Sequence, residues 1–211
     1  LPSPGQAIVD INRTTTGFDA LDNILTLDDD IKQHITALEE ATRLTSSLMT
    51  KTNNGQADAA RIRFLITRTQ YTLLSTPKYS NILHELCRLV LMLYSENMVN
   101  ESPPRLPICD VLIAKFRDIW IDASHTEISV PLDFKLWSLF VAVSVISVVA
   151  EPLMNWYLRC IHETASQMRI NEWNDLVGVF DTFLWDERVH GRRYMEIWSV
   201  SKRVDAHEVL C

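Results

Sequence analysis

Six histidines, four cysteines and 27 acidic side chains supply enough ligating and titratable groups for chemistry, so their spacing decides what they can do. His84-Glu85 and His162-Glu163 each begin an H-E-x-x pattern. A zinc protease needs a second imidazole one helical turn later, on the same face as the first. Those positions hold Arg88 and Ser166, which cannot serve. Asp28-Asp29-Asp30 has the composition of a magnesium cluster in a helical isoprenoid enzyme. Ile31 and Lys32 stand where the recurring carboxylate is needed, so the triplet reads as an acidic helix start. Cys160-Ile161-His162 offers two metal ligands but no second pair at ligand spacing, and a buried thiol beside a surface imidazole is the simpler reading. No G-x-S-x-G elbow, glycine-rich phosphate loop or dinucleotide fingerprint is present. The expectation is therefore a non-enzyme, with no catalytic residue, cofactor or metal ligand assigned.

The elements that would position any site are helical. Apolar residues make up 47% of the chain, enough for a real core, and only five glycines interrupt it. Net charge is −7, and a chain that grips phosphates needs the opposite balance, so direct nucleic-acid contact is not expected. One locally basic stretch, Arg188, Arg192, Arg193, Lys202 and Arg203, reads as solvated helix ends or a contact for an acidic partner. Cys87, Cys109, Cys160 and Cys211 are widely spaced, which suits free thiols rather than a disulfide framework. The opening residues lack the charged and apolar regions of a signal peptide.

Residues 1–16, with Pro2, Pro4, Gly5 and the Thr14-Thr15-Thr16 run, read as a flexible tail, and 17–211 as one helical domain. Apolar spacing predicts helices near 31–48, 57–74, 80–95 and 108–121, with a proline-containing loop over 97–107. The second of these has Ile62, Leu65, Ile66 and Leu73 as its stripe. A nearly charge-free helix follows over 134–150, and its apolar stretch, 136–150, is about 15 residues long against the roughly 20 needed to cross a bilayer. It reads as buried on most sides, not as a membrane span. Pro152 opens the next helix. Asn171 reads as the N-cap of a helix carrying Trp173, Leu176, Val177, Phe180, Phe183 and Leu184. A short helix near 192–200 completes an all-α chain, a single layered bundle of about seven to nine helices.

The six tryptophans lie on or beside these stripes. They either fill the core or frame an aromatic cavity for an apolar ligand built around Trp137, Phe140 and Trp156.

Four pieces occur in a distinctive order: Phe134-Lys135-Leu136-Trp137-Ser138-Leu139-Phe140; Glu151-Pro152 leading to Trp156-Tyr157; Asn171-Glu172-Trp173; and Phe183-Leu184-Trp185-Asp186 followed by Trp198. Over about residues 60–200 the chain resembles the C-terminal regulatory region of fungal-specific transcription factors of the binuclear zinc-cluster type. The resemblance implies an all-helical fold in which Trp173, Phe183, Leu184, Trp185 and Trp198 are structural. It implies a nuclear location, or a cytoplasmic one for a stand-alone or masked form, and control through self-association, contact with the transcription machinery or a hydrophobic small molecule. DNA reading in that family belongs to an N-terminal module whose six cysteines hold two zinc ions. No cysteine precedes Cys87, so that module is absent from this sequence. The readings from other classes are a small helical lipid-handling protein or enzyme with an apolar cavity, and a plain interaction scaffold.

Overall fold

The computed structural model describes residues 16–50, 55–99, 107–124, 130–146 and 151–203. Among them are nine helices and no strand: α1 Thr16–Leu25, α2 Asp29–Thr50, α3 Gln56–Ser75, α4 Ile82–Val99, α5 Pro107–Ser124, α6 Leu132–Ser144, α7 Glu151–Gln167, α8 Trp173–Phe180 and α9 Glu187–Ser201. The expected all-helical bundle is what forms. None of the described helices is long and apolar enough to cross a membrane.

Two helices are central because they have no polar side to offer water. Leu136 to Ser144 of α6 are buried without interruption, as are Leu89 to Ser95 of α4. A helix apolar all round must be enclosed. Helix α4 packs on α2, α3, α5 and α6, and α6 packs on α1, α4, α7, α8 and α9. The amphipathic helices are thus arranged around two buried rods. Tyr157 ties α7 to α5 by donating its hydroxyl to the Ile113 carbonyl at 2.8 Å.

Charges inside the bundle are paired. Glu85, which opens the first H-E-x-x pattern with His84, is buried and accepts from Arg88 at 2.6 and 2.8 Å. Arg88 also donates to the Leu73 carbonyl (2.8 Å), and the Tyr79 amide donates to Glu85 (3.1 Å). The position that fails as a zinc ligand therefore locks the α3–α4 connection. Such a pair holds geometry firmly, because losing one partner strands a buried charge at a cost of about 3–5 kcal/mol.

Several boundaries differ from those that apolar spacing predicts. Helix α1 is an addition: Thr16, expected in the tail, is its first residue, while residues 1–15 lie outside the described part. Helix α4 extends to Val99, three residues into the expected loop. Helix α6 stops at Ser144 rather than running to 150. Its end tightens through Val145 N to Ala142 O (3.3 Å) and Ile146 N to Val143 O (3.1 Å), at the start of a β-branched run that disfavours helix. Residues 147–150 lie outside the described part. Helix α8 is capped by Glu172, whose amide donates to Asp175 (3.4 Å). Asn171 instead offers its carbonyl to Lys202 at 2.6 Å. Phe183 and Leu184 lie beyond α8, in the connection to α9, and α9 begins five residues earlier than expected, at Glu187.

The α1–α2 junction is sharp. Thr26 has a φ of 52°, the left-handed region that a β-branched residue rarely enters. Asp22 holds it there by accepting from the Leu27 amide at 2.7 Å and pairing with Lys32 at 2.8 Å. The Thr26 side chain is not buried, and no described hydrogen bond uses its hydroxyl. Thr26→Asn, which tolerates this conformation, is expected to raise the unfolding free energy by about 0.5–1 kcal/mol in urea titrations.

Candidate functional site

The residues singled out by sequence converge on an aromatic unit between α6 and the stretch from α8 to α9. Trp137 and Phe140 lie on one face of α6 at helical spacing, both fully buried. The Trp137 indole donates to the Leu184 carbonyl at 3.0 Å. Its ring stacks on Phe183 at 5.1 Å and meets Phe18 of α1 edge-on at 5.3 Å. Phe140 contacts Phe180 at 4.9 Å and Tyr194 at 5.4 Å. Trp185 joins the same group through Phe180 (5.0 Å) and Tyr194 (5.2 Å), and Trp173 reaches Trp185 at 6.3 Å. Rings at these separations and angles attract beyond their area burial, by about 0.5–1.5 kcal/mol a pair.

Two of the expected residues sit apart from this group. Trp156 on α7 is half-buried and has its ring contact with Tyr157 at 4.7 Å. Among the described residues no ring contact joins it to Trp137 or Phe140. Trp198 is buried late in α9, with the Lys202 ammonium 4.7 Å above its ring. Trp137 and Phe140 are thus placed together, and Trp156 belongs to a neighbouring contact.

Two polar features sit inside the aromatic unit, and neither has a signal in the sequence. The first is the Tyr94 hydroxyl of α4, 2.7 Å from Thr42 of α2. Thr42 gives its proton to the Leu38 carbonyl at 2.8 Å, so Tyr94 is the donor between them. Burial pushes the Tyr94 and Tyr194 phenols up, and Tyr194 lies beside Ser144. The second is His190 of α9, 2% exposed. Its ring lies 5.2 Å from Tyr94, 5.7 Å from Trp185 and 5.6 Å from Tyr194. Nδ1 is 3.2 Å from both the amide nitrogen and the carbonyl oxygen of Asp186. Whichever tautomer is held, Nε2 is buried without a hydrogen-bond partner among the described residues. Desolvation lowers the pKa to about 4, against opposing help from Asp186, so the imidazole is neutral near pH 7.

The His190 imidazole is enclosed by the Tyr94, Trp185 and Tyr194 rings. Among the described residues no group of three or more His, Cys, Asp or Glu side chains is gathered so as to hold a metal ion. Cys160 is buried and His162 half-buried. A surface depression of about 370 Å³, lined by Asp29, Lys32, Gln33 and Thr36, lies along α2 alone and is remote in character from the apolar site expected.

No protein-family model, curated protein or solved structure matches the chain.

Close approach of α1 to the aromatic unit rests on Gly17. Its amide donates to the Thr182 carbonyl at 2.8 Å, and an added Cβ would stand 2.6 Å from the Phe183 ring. That ring is held by Phe18, Phe134 and Trp137 and has no room to yield. Gly17→Ala is expected to lower stability by about 1–3 kcal/mol. Gly178, inside α8, is the contrast, because an added Cβ there would meet nothing within 4 Å. At that position the same change is expected to raise stability by about 0.5–1 kcal/mol, both measured by chemical unfolding.

His190 makes stability depend on acid. The unfolded chain takes up the proton near the ordinary value of 6.5, the folded chain only near 4. The unfolded state therefore binds more protons in that window. The contribution of neutral His190 is full above pH 6.5 and is lost as pH falls toward 4, by an amount on the order of 3 kcal/mol. His190→Phe keeps the aromatic packing and removes the orphaned nitrogen. Urea titrations at about pH 7 and about pH 4.5 are expected to show a smaller acid loss in His190→Phe than in the wild type. Glu39, raised by burial, acts in both proteins and cancels in the comparison.

Proposed function

We propose that the chain is a non-catalytic control module, the C-terminal regulatory region of a fungal binuclear zinc-cluster transcription factor, acting in the nucleus through protein contacts. What supports this reading is the arrangement of the four sequence pieces that carry the resemblance. They fall in order on α6, α7, α8 and the α8–α9 connection with α9. Trp137 of the first piece hydrogen-bonds Leu184 of the last. Phe183 stacks on Trp137, and Trp173 touches Trp185. Residues of the first, third and fourth pieces meet in one packed unit, while Trp156 and Tyr157 of the second contact each other and tie α7 to α5. The contacts within that unit give the order of those three pieces a physical reason.

The dense ring packing around Trp137 and Phe140 favours protein contact over a hydrophobic ligand as the route of control, since an apolar ligand there would have to displace stacked rings. The acidic net charge suits a module that leaves phosphate contact to another part of a protein.

The reading is tested by joining the chain to an unrelated DNA-binding domain in a fungal cell carrying the matching reporter. Reporter output is expected to differ from that of the DNA-binding domain alone, and Trp137→Ala, which removes a buried side chain worth about 3–5 kcal/mol, is expected to abolish the difference. Equal output with and without the chain, at equal protein levels, would count against a regulatory role.

A further inference from the structure

Helix α3 carries a second apolar seam that the bundle does not cover. Its inner side is Leu65, Ile66, Thr69 and Leu73, all buried, and it packs on α2 and α4. On the opposite side Ala57, Ala60, Phe64, Thr67, Tyr71 and Leu74 follow one another at intervals of three and four, and all are exposed. Phe64 is 53% exposed, Tyr71 74% and Leu74 56%, so these are large side chains standing in water. Alternating spacings of three and four over five turns are the a/d pattern by which one helix receives another. Single exposed apolar residues need no explanation, but a seam in register along a whole helix does.

The charges beside the seam identify what fits it. At 100° per residue, Arg61 and Arg68 border it on one side and Arg63 on the other. The chain as a whole has a net charge of −7, yet α3 holds these arginines against the single acid Asp58. Arg61 reaches the Glu40 carboxylate at 3.1 Å and sits 6.0 Å from the Phe64 ring. Arg63 and Arg68 are exposed, and no ion pair to either occurs among the described residues. A second copy of α3 laid on this seam would bring arginine to arginine along both edges, which opposes self-pairing. A helix with apolar anchors at the same spacing and Asp or Glu on its flanks meets both the rings and the guanidinium groups.

We propose that the outer face of α3 is a docking surface for an acidic amphipathic helix of a partner protein. Phe64, Tyr71 and Leu74 receive its apolar anchors, and Arg63 and Arg68 pair with its flanking carboxylates. This inference stands on α3 alone and is independent of the transcriptional reading.

The test uses the full chain and two synthetic peptides of roughly three heptads, both with Leu at a and d, one with Glu at e and g and the other with Lys. Binding is followed by fluorescence anisotropy. The Glu peptide is expected to bind, with the Lys peptide about tenfold weaker or worse. Raising salt to about 1 M, where the Debye length is about 3 Å, is expected to erase most of that preference. R63E/R68E is expected to invert it, and F64A/Y71A to weaken both peptides about tenfold or more. These side chains are exposed, and unchanged helical circular dichroism and unfolding midpoints would show the variants folded. Equal binding of the two peptides, no binding of the Glu peptide, or unchanged binding by folded R63E/R68E would overturn the proposal. So would a dimer in sedimentation equilibrium that F64A/Y71A converts to monomer, because the seam would then serve a second copy.

Discussion

The hydrogen bond from the Trp137 indole to the Leu184 carbonyl is the constraint on which the C-terminal half depends. A tryptophan in the stretch of α6 that is buried without interruption has to place its N–H somewhere, and an unmet donor in the core costs about 1–3 kcal/mol. Leu184 supplies the acceptor only because α8 ends at Phe180 and the chain turns, freeing a backbone carbonyl. The turn in turn sets Phe183 flat against Trp137 and brings Thr182 to the Gly17 amide. One polar bond inside an apolar core thus fixes where α1, α6 and α9 lie. Greasy contact alone, being non-directional, would not fix that placement.

Closure has a consequence for how the protein can act. Aromatic rings occupy the space around Trp137 and Phe140, and the buried imidazole of His190 is held neutral among them. The groups left to interact lie outside, on surfaces such as the arginine-bordered seam of α3. A closed interior with a patterned exterior is the arrangement that the proposed control through protein contacts calls for. It also explains why His190 is tolerated: its Nδ1 shares the α9 N-terminus with Asp186, whose side chain caps the helix by accepting from the Arg188 amide at 2.9 Å.

Sequence spacing reveals the helices best where apolar residues recur at three and four, as in α2, α3, α5 and α7. It locates most of the aromatic unit because Trp137, Phe180 and Trp185 are large and apolar. Where it fails, the deciding contact is long-range or the signal is divided. Helix α1 is ten residues long, and its place depends on Phe18 meeting Trp137, which no local pattern announces. The end of α6 is hidden because hydrophobicity continues through the β-branched residues after Ser144 while helix propensity does not. Phe183 and Leu184 have helical spacing but leave the helix to reach α6. The cage of His190 takes Tyr194 from its own helix but Tyr94 from α4 and Trp185 from the α8–α9 connection, and no local pattern announces that these converge. The outer seam of α3 is legible in principle, yet Ile62, Leu65, Ile66 and Leu73 already make one complete apolar face and draw attention from the other.

The central claim is that the 181–186 connection is bonded into the core and does not act as a detachable cover. Native-state hydrogen exchange read residue by residue tests it most directly. Amides of α6, of the 181–186 connection and of α9 are expected to share one high opening free energy and one denaturant dependence, the behaviour of a single cooperative unit. Rapid exchange of the connection and α9 while α6 stays protected would contradict the account, since the Trp137–Leu184 bond would then be opening without unfolding the protein.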